Sequence, residues 1–387
     1  MSSMLLRLAA PVRHYRGRRP ASSLGAVCVV GSGPGGFYTA KYLLKADANV
    51  RVDVIDKLPT PFGLVRSGVA PDHQDVKAVQ NDFTNVAQNE RVRFFGNVRV
   101  GDGDGCVGLD ELRKCYGAVV LACGAEDDRT LGIAGEELRG VHGARAFVNW
   151  YNGHPDFVGL APDLSCAAAV IVGQGNVAID CARILCKTQE ELRGSDIAAH
   201  AQEALAASNI RHVSVVGRRG HVQASFTIKE LRELTKLQGA AFGVRADELQ
   251  QGATAASLEE VAATRAKKRL NDLLNKHSGS ADAADAAGMA RLELRFLASP
   301  VAVLPDAADA GRAGALRVER TALEGDAFEQ VMAAPTPPRL LRSAHAARLT
   351  PRWPSASPLP SRTRLQRAVG QQQFEDISCG LILRSIG

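Results

Sequence analysis

Three glycines and one acid form the first spacing that can do chemistry. Gly31, Gly33 and Gly36 make G-x-G-x-x-G at the end of the apolar run AVCVV, and Asp56 follows Gly36 by 20 residues at the end of VDVID. In such a pattern Gly31 permits a tight turn and Gly33 lets backbone approach a pyrophosphate. Gly36 lets the next helix pack closely on the strand, so that the helix N-terminus faces the phosphates. Asp56 is then placed to accept hydrogen bonds from adenosine ribose hydroxyls. A carboxylate there disfavours a 2′-phosphate, so FAD or NAD fits this site better than NADP. A glycine turn that binds nothing is the bland alternative, and the ordered succession of strand, turn, helix, strand and acid weighs against it.

The pattern recurs in CAAAVIVGQGNVAIDCARILCK. Gly173 and Gly175 follow an apolar strand at 167–172, and Ala178 takes the third position, where any small residue lets helix meet strand. The next matching strand, HVSVVGRRG, ends in Arg218 and Arg219 instead of an acid. Two guanidiniums at the place that would otherwise bind a 2′-hydroxyl can grip a 2′-phosphate through charge-assisted bonds, which favours NADP. A solvated arginine pair on a loop is the competing reading.

Both spacings require parallel strands that are apolar throughout, because helices cover both faces of the sheet. The expected fold class is therefore α/β with two Rossmann-like dinucleotide-binding domains, one for FAD and one for NADP. Both in one chain imply hydride transfer from nicotinamide to flavin, chemistry that the cofactors carry while the protein supplies placement and electrostatics. No nucleophile triad or carboxylate dyad is needed, and no catalytic side chain is assigned.

A chain of 387 residues suggests about two or three domains at roughly 150 residues each. No stretch approaches the roughly 18 consecutive apolar residues of a membrane span. The net charge of +6 invites a nucleic-acid partner, but five arginines precede residue 25 and seven fall within 335–373, windows without Asp, Glu or Lys; removing them leaves the body at −6. No nucleic acid is expected. The eight cysteines show neither a C-x-x-C pair nor metal-ligand spacing, which points to free thiols, a reducing compartment and no metal site. The first acid is Asp47, and the opening 1–25 mixes Leu, Ala, Arg and Ser as a mitochondrial presequence does. Residues 333–373 hold seven of the 17 prolines, no acid and no lasting hydrophobic period, and read as a disordered insert. GLILRSIG then reads as a strand.

The sequence resembles the mitochondrial NADPH:adrenodoxin (ferredoxin) oxidoreductase family along VVGSGPGGFYTAKYLL, PTPFGLVRSGVAPDH, GAEDDRTLGIAGEEL, ARAFVNWYNGHP, VIVGQGNVAIDCARIL and VVGRRGHVQASFTIKELREL. The likeness covers roughly 26–330 and resumes at 375–387. It implies that Gly35, Asp56, Leu64 and Val100 contact FAD. It implies that Gln174, Asn176, Val177, Arg218, Arg219 and Glu230 contact NADP. His73 would lie near the flavin and assist proton movement, although an exposed loop histidine is the commoner explanation. Ser67, where the family usually has Phe, would loosen packing beneath its loop. The basic run 265–269 falls where the family docks an acidic [2Fe-2S] ferredoxin (adrenodoxin), which singles out Arg265 and Arg269. A monomer in the mitochondrial matrix, at the periphery of the inner membrane, completes what the likeness implies.

The expected division is a presequence at 1–25, the N-terminal part of an FAD domain at 26–124 and an NADP domain at 125–387. In the family the chain returns to the FAD domain after a strand like CGLILRSIG, whereas this sequence stops at Gly387. The FAD domain therefore reads as incomplete, and the chain as a truncated or aberrantly spliced relative of an enzyme that passes electrons from NADPH through FAD to ferredoxin. A catalytically silent binder of NADPH or ferredoxin is the alternative. A flavoprotein like the small glutamate synthase subunit would bring cysteine-rich cluster-binding sequence, which is missing.

Overall fold

A computed structural model describes residues 25–125, 128–280, 288–328 and 367–386. The apolar run after Gly25 becomes β1 (Ala26–Val30), which pairs in parallel with β2 (Arg51–Ile55); β3 (Val92–Phe95) and β4 (Ala118–Leu121) complete a sheet of order β3-β2-β1-β4. Helix Pro34–Ala46 begins at a proline, whose fixed φ suits a first helical turn. It buries Phe37 and Ala40 against Val27, Val29 and Val52, and the Phe37 ring stacks on Phe83 of helix Val79–Ala87 at 5.3 Å. Burial of each such side chain stabilises by about 2 kcal/mol.

The chain reaches a second, larger unit with β5 (Val141–Gly143). There follow β6 (Ala168–Val172), β7 (His212–Val216), β8 (Ala240–Val244) and β9 (Ala290–Arg295). A meander of β10 (Ala298–Pro305), β11 (Ala313–Glu324) and β12 (Arg367–Ser378) precedes the last strand, β13 (Leu381–Arg384). The parallel sheet has order β5-β13-β6-β7-β9-β8, and β10-β11-β12 form an antiparallel sheet. GLILRSIG is thus a central strand: Leu381, Ile382 and Leu383 are wholly buried between β5 and β6. Helix Asn176–Cys186 packs Ile179, Ala182 and Ile184 into the core of this sheet.

One expectation is corrected. The insert drawn over 333–373 overlaps β12, because 367–370 pair antiparallel with Glu324 to Thr321 of β11 and the ladder resumes at Phe374 with Glu319. The missing hydrophobic period has a physical reason. The side chains of Gly370 to Phe374 lie in solvent, and Gln372 takes φ 56° where the register shifts, so backbone pairing holds this strand without an apolar face. The remainder of that insert, and residues 1–24 of the presequence, lie outside the described residues.

Candidate functional site

The first glycine turn is shaped by contacts that exclude a side chain. Gly31 has φ 107°, and a Cβ there would stand 2.3 Å from the Ala122 carbonyl oxygen, while a Cβ on Gly36 would stand 2.0 Å from the Gly31 oxygen. At Gly33 the nearest atom to such a Cβ is Gly63 Cα at 4.0 Å, so the face over the turn is open. Helix Pro34–Ala46 has neither a side-chain cap nor an acid in its first turn, which leaves its free N–H groups and positive dipole end available to an anion. The Asp56 carboxylate is fixed beside this turn: Ser32 donates from N–H at 2.8 Å and Oγ at 2.6 Å to Oδ2, and Leu58 N–H donates to Oδ1 at 2.9 Å.

The other expected FAD contacts take up positions around these groups. Gly35 has room for a methyl, its Cβ position lying 3.9 Å from that of Ala122. Gly63 closes on Gly33 and carries the exposed Leu64 to the turn. Val98 N–H donates to the Asp56 carbonyl, and Val100, two residues on, packs with Cys28, Ile55 and Leu112. Ser67 does not loosen its loop, since it is buried, its hydroxyl donates to the Gly63 carbonyl, and its own carbonyl accepts from Asn152.

The second turn repeats the first. Gly173 has φ 128° with a Cβ position 2.1 Å from the Ser385 oxygen, so β13 stands to β6 as β4 stands to β1. Ala178 is fully buried at the place of Gly36. A Cβ on Gly175 would meet nothing within 4 Å, and helix Asn176–Cys186 again lacks a side-chain cap and an acid in its first turn. Gln174 donates from Nε2 to the Arg295 carbonyl at 2.7 Å, Asn176 Oδ1 accepts from Thr227 N–H at 2.9 Å, and Val177 stays exposed on the first helical turn. Arg218 is exposed and Arg219 half-buried just beyond β7, and neither forms an ion pair with a carboxylate among the described residues. Burial and the Arg218 charge both lower Arg219 below its usual range, which a bound anion would relieve.

A charged cluster that the sequence reading missed joins the two units. Arg183 is 1% exposed and grips Asp72 with Nε at 2.7 Å and Nη2 at 2.9 Å, while its Nη1 lies 2.8 Å from Asp180, 3.1 Å from Glu233 and 3.7 Å from Glu230. Lys187 reaches Asp72 at 2.6 Å. His73 is buried, not an exposed loop residue, with Nε2 at 2.7 Å from Glu233 and 3.8 Å from Glu230. Glu230 thus sits in this cluster with Oε2 buried and without a hydrogen bond, and burial raises its carboxyl and that of Asp180. Ligand atoms of His73, Asp180 and Glu230 lie within 4.8 Å of one another, but the Arg183 guanidinium already supplies a cation there. The i,i+3 pair Asp180–Arg183 was the one signal visible in the sequence.

Arg265 and Arg269 are exposed on helix Arg265–Lys276, whose Leu270 and Leu274 face the core. Lys267 of the same run pairs instead with the buried Glu260. Among the described residues, no hydrogen bond or ion pair ties either arginine to the glycine turns.

Comparison with known proteins fits this geometry. Residues 25–270 match the family model described as pyridine nucleotide-disulphide oxidoreductase. The mitochondrial NADPH:adrenodoxin oxidoreductase of Arabidopsis thaliana is 44% identical over 363 residues, covering 93% of this chain and 67% of that protein. The Homo sapiens protein of the same name is 45% identical over 366 residues, covering 93% of this chain and 65% of its own length. The solved structure of Mycobacterium tuberculosis FprA in complex with NADPH superposes with a TM-score of 0.78 at 36% identity, covering 94% of this chain and 71% of that one. The chain spans about two thirds of the length of the curated relatives it matches.

Proposed function

Since the chain belongs to the pyridine nucleotide-disulphide oxidoreductase family, with NADPH:adrenodoxin oxidoreductases among its relatives, we propose that it passes electrons from NADPH through FAD to a [2Fe-2S] ferredoxin in mitochondria. One observation carries this reading. Two glycine turns of the same construction differ in what stands at the ribose, a fixed carboxylate at Asp56 and an unpaired guanidinium pair at Arg218 and Arg219.

In this reading 26–124 form the FAD-binding unit and 125–387 the NADP-binding unit. Bound together, the two cofactors supply hydride acceptance and release of single electrons, which no side chain here carries. The chain's own residues place them. The N–H groups that open helices Pro34–Ala46 and Asn176–Cys186 hold the pyrophosphates, Asp56 accepts from a ribose, and Arg218 and Arg219 neutralise a 2′-phosphate. Gly35, Leu64 and Val100 border the flavin nucleotide, and Gln174, Asn176, Val177 and Glu230 border NADP. His73, hydrogen-bonded to Glu233, holds a proton between the two units. Arg265 and Arg269 steer the acidic ferredoxin, which sets the rate of encounter more than affinity. A monomer in the matrix beside the inner membrane belongs to the same proposal.

Purified chain is expected to carry flavin absorbance and to reduce a [2Fe-2S] ferredoxin with NADPH; a colourless protein that binds NADPH favours the silent-binder alternative. Replacing Arg218 and Arg219 together by Ala is expected to weaken NADPH by about 100-fold, since each charge-assisted bond contributes about 1.5 kcal/mol or more, with NADH little changed. Isothermal titration with both nucleotides checks this. Charge reversal at Arg265 and Arg269 is expected to slow ferredoxin reduction about 10-fold at low salt and to flatten its salt dependence, as stopped-flow rates at several ionic strengths would reveal.

A further inference from the structure

The arm Gly217-Arg218-Arg219-Gly220 is anchored through its backbone at nearly every residue, although both arginine heads lack a carboxylate partner among the described residues. Gly217 N–H donates to the Arg295 carbonyl at 2.9 Å, and the Gly217 carbonyl accepts from Ala298 N–H at 3.0 Å. The Arg219 carbonyl accepts from Leu297 N–H at 3.0 Å, and the Arg218 carbonyl accepts from the Thr321 hydroxyl at 2.6 Å. Beyond Gly220, the Asn271 amide oxygen accepts from His221 Nε2 at 3.0 Å.

These anchors come from a turn that is itself held under strain. Leu297, 1% exposed, joins β9 to β10 with φ 54°, a left-handed conformation that costs a non-glycine residue about 1–2 kcal/mol. Its carbonyl accepts from Thr321 N–H at 2.9 Å, so Leu297 and Thr321 brace each other while each holds one arginine carbonyl. Thr321 is 5% exposed and follows the register shift between Glu319 and Thr321, the kind of irregularity that re-aims a side chain.

Why two adjacent arginines need such bracing follows from chain geometry. Consecutive side chains of an extended backbone point to opposite sides, so neighbouring guanidiniums converge on one phosphate only when the backbone between them is held off that path. Their charges repel, as the lowered Arg219 reflects. The arm must therefore be set before the anion arrives.

We propose that Thr321 is a positioning residue for the 2′-phosphate of NADPH: by holding the Arg218 carbonyl, its hydroxyl directs both guanidiniums to one phosphate and so sets the preference for NADPH over NADH. This rests on the reading that the second glycine turn takes NADPH.

Thr321→Val keeps the side-chain shape and removes the donor, whereas Thr321→Ser keeps the donor. Calorimetric affinities of the full chain for NADPH, NADH and 2′,5′-ADP separate the outcomes. Thr321→Val is expected to weaken NADPH and 2′,5′-ADP about fivefold, the effect of one neutral hydrogen bond, and to leave NADH unchanged. Thr321→Ser is expected to restore both affinities, and adding Thr321→Val to the Arg218→Ala, Arg219→Ala pair is expected to change nothing further. Equal weakening of NADPH and NADH, or a fivefold effect that persists without the arginines, would overturn the proposal. Should the Val variant not fold, Thr321→Ala carries the same comparison. If the arginine pair alone leaves the preference intact, the NADPH reading itself fails, an outcome distinct from failure of the Thr321 assignment.

Discussion

Gly173→Ala is expected to unfold the second unit, whereas Gly175→Ala, two residues on, is expected to keep the fold and lose NADPH. At Gly173 the backbone lies at φ 128°, where a side chain is strained by about 1–2 kcal/mol. The new methyl would also stand 2.1 Å from the Ser385 oxygen, which relaxes only if β13 leaves β6. That movement would expose Leu381, Ile382 and Leu383, each worth about 2 kcal/mol of burial. At Gly175 the backbone is ordinary extended chain, φ −100° and ψ 176°, and a Cβ meets nothing within 4 Å. Stability there should change by less than about 0.5 kcal/mol. The methyl would occupy the space through which backbone approaches the pyrophosphate, so NADPH should bind at least about 10-fold more weakly. Melting temperature and NADPH titration on the two variants check both halves. A Gly173→Ala protein that melts with the parent would remove β13 from this steric role, and a Gly175→Ala protein with parental affinity would place the pyrophosphate elsewhere.

The two turns were legible because their determinants are local. A buried strand such as Val27–Val29, a glycine turn and a helix opening without an acid occupy consecutive residues in each case, and the ribose groups Asp56, Arg218 and Arg219 follow at fixed distance along the next strand. The partner of each first glycine was not legible. Ala122 is 91 residues from Gly31 and Ser385 is 212 from Gly173, and nothing in GLILRSIG says that it inserts between β5 and β6. Residues 367–373 failed for the opposite reason, because a glutamine run has no periodicity, and pairing with β11 alone makes it a strand. The interface cluster failed through dispersion. Asp72 and Arg183 are 111 residues apart, and each looks like a surface charge until the fold buries them together.

That cluster supplies the second large effect, since Arg183→Met is expected to cost about 3–5 kcal/mol, the range for removing one partner of a buried ion pair. Methionine fills much of the space, but Asp72, Asp180, Glu230 and Glu233 then lose the guanidinium they surround. Acidity gives the loss a signature. Burial works to raise the Asp72 carboxyl, but hydrogen bonds and charges from Arg183 and Lys187 outweigh it and hold the group well below the usual carboxylate range. A depressed folded-state value means stability that is present above the unfolded value of about 4 and lost as pH falls toward the folded one. Wild-type protein should therefore weaken below about pH 4. In the variant the carboxylates gain from protonation instead of needing a cation, so its melting-temperature deficit should be largest near pH 7 and shrink toward pH 4. A deficit that stays constant across this range would mean that Arg183 acts by packing alone. The functional consequence is positional. Asp72 belongs to the first unit, and Arg183 lies on the helix that opens at the second glycine turn, so their pair sets how the two nucleotide sites face each other. NADPH-driven electron transfer in the variant should accordingly fall further than NADPH affinity does.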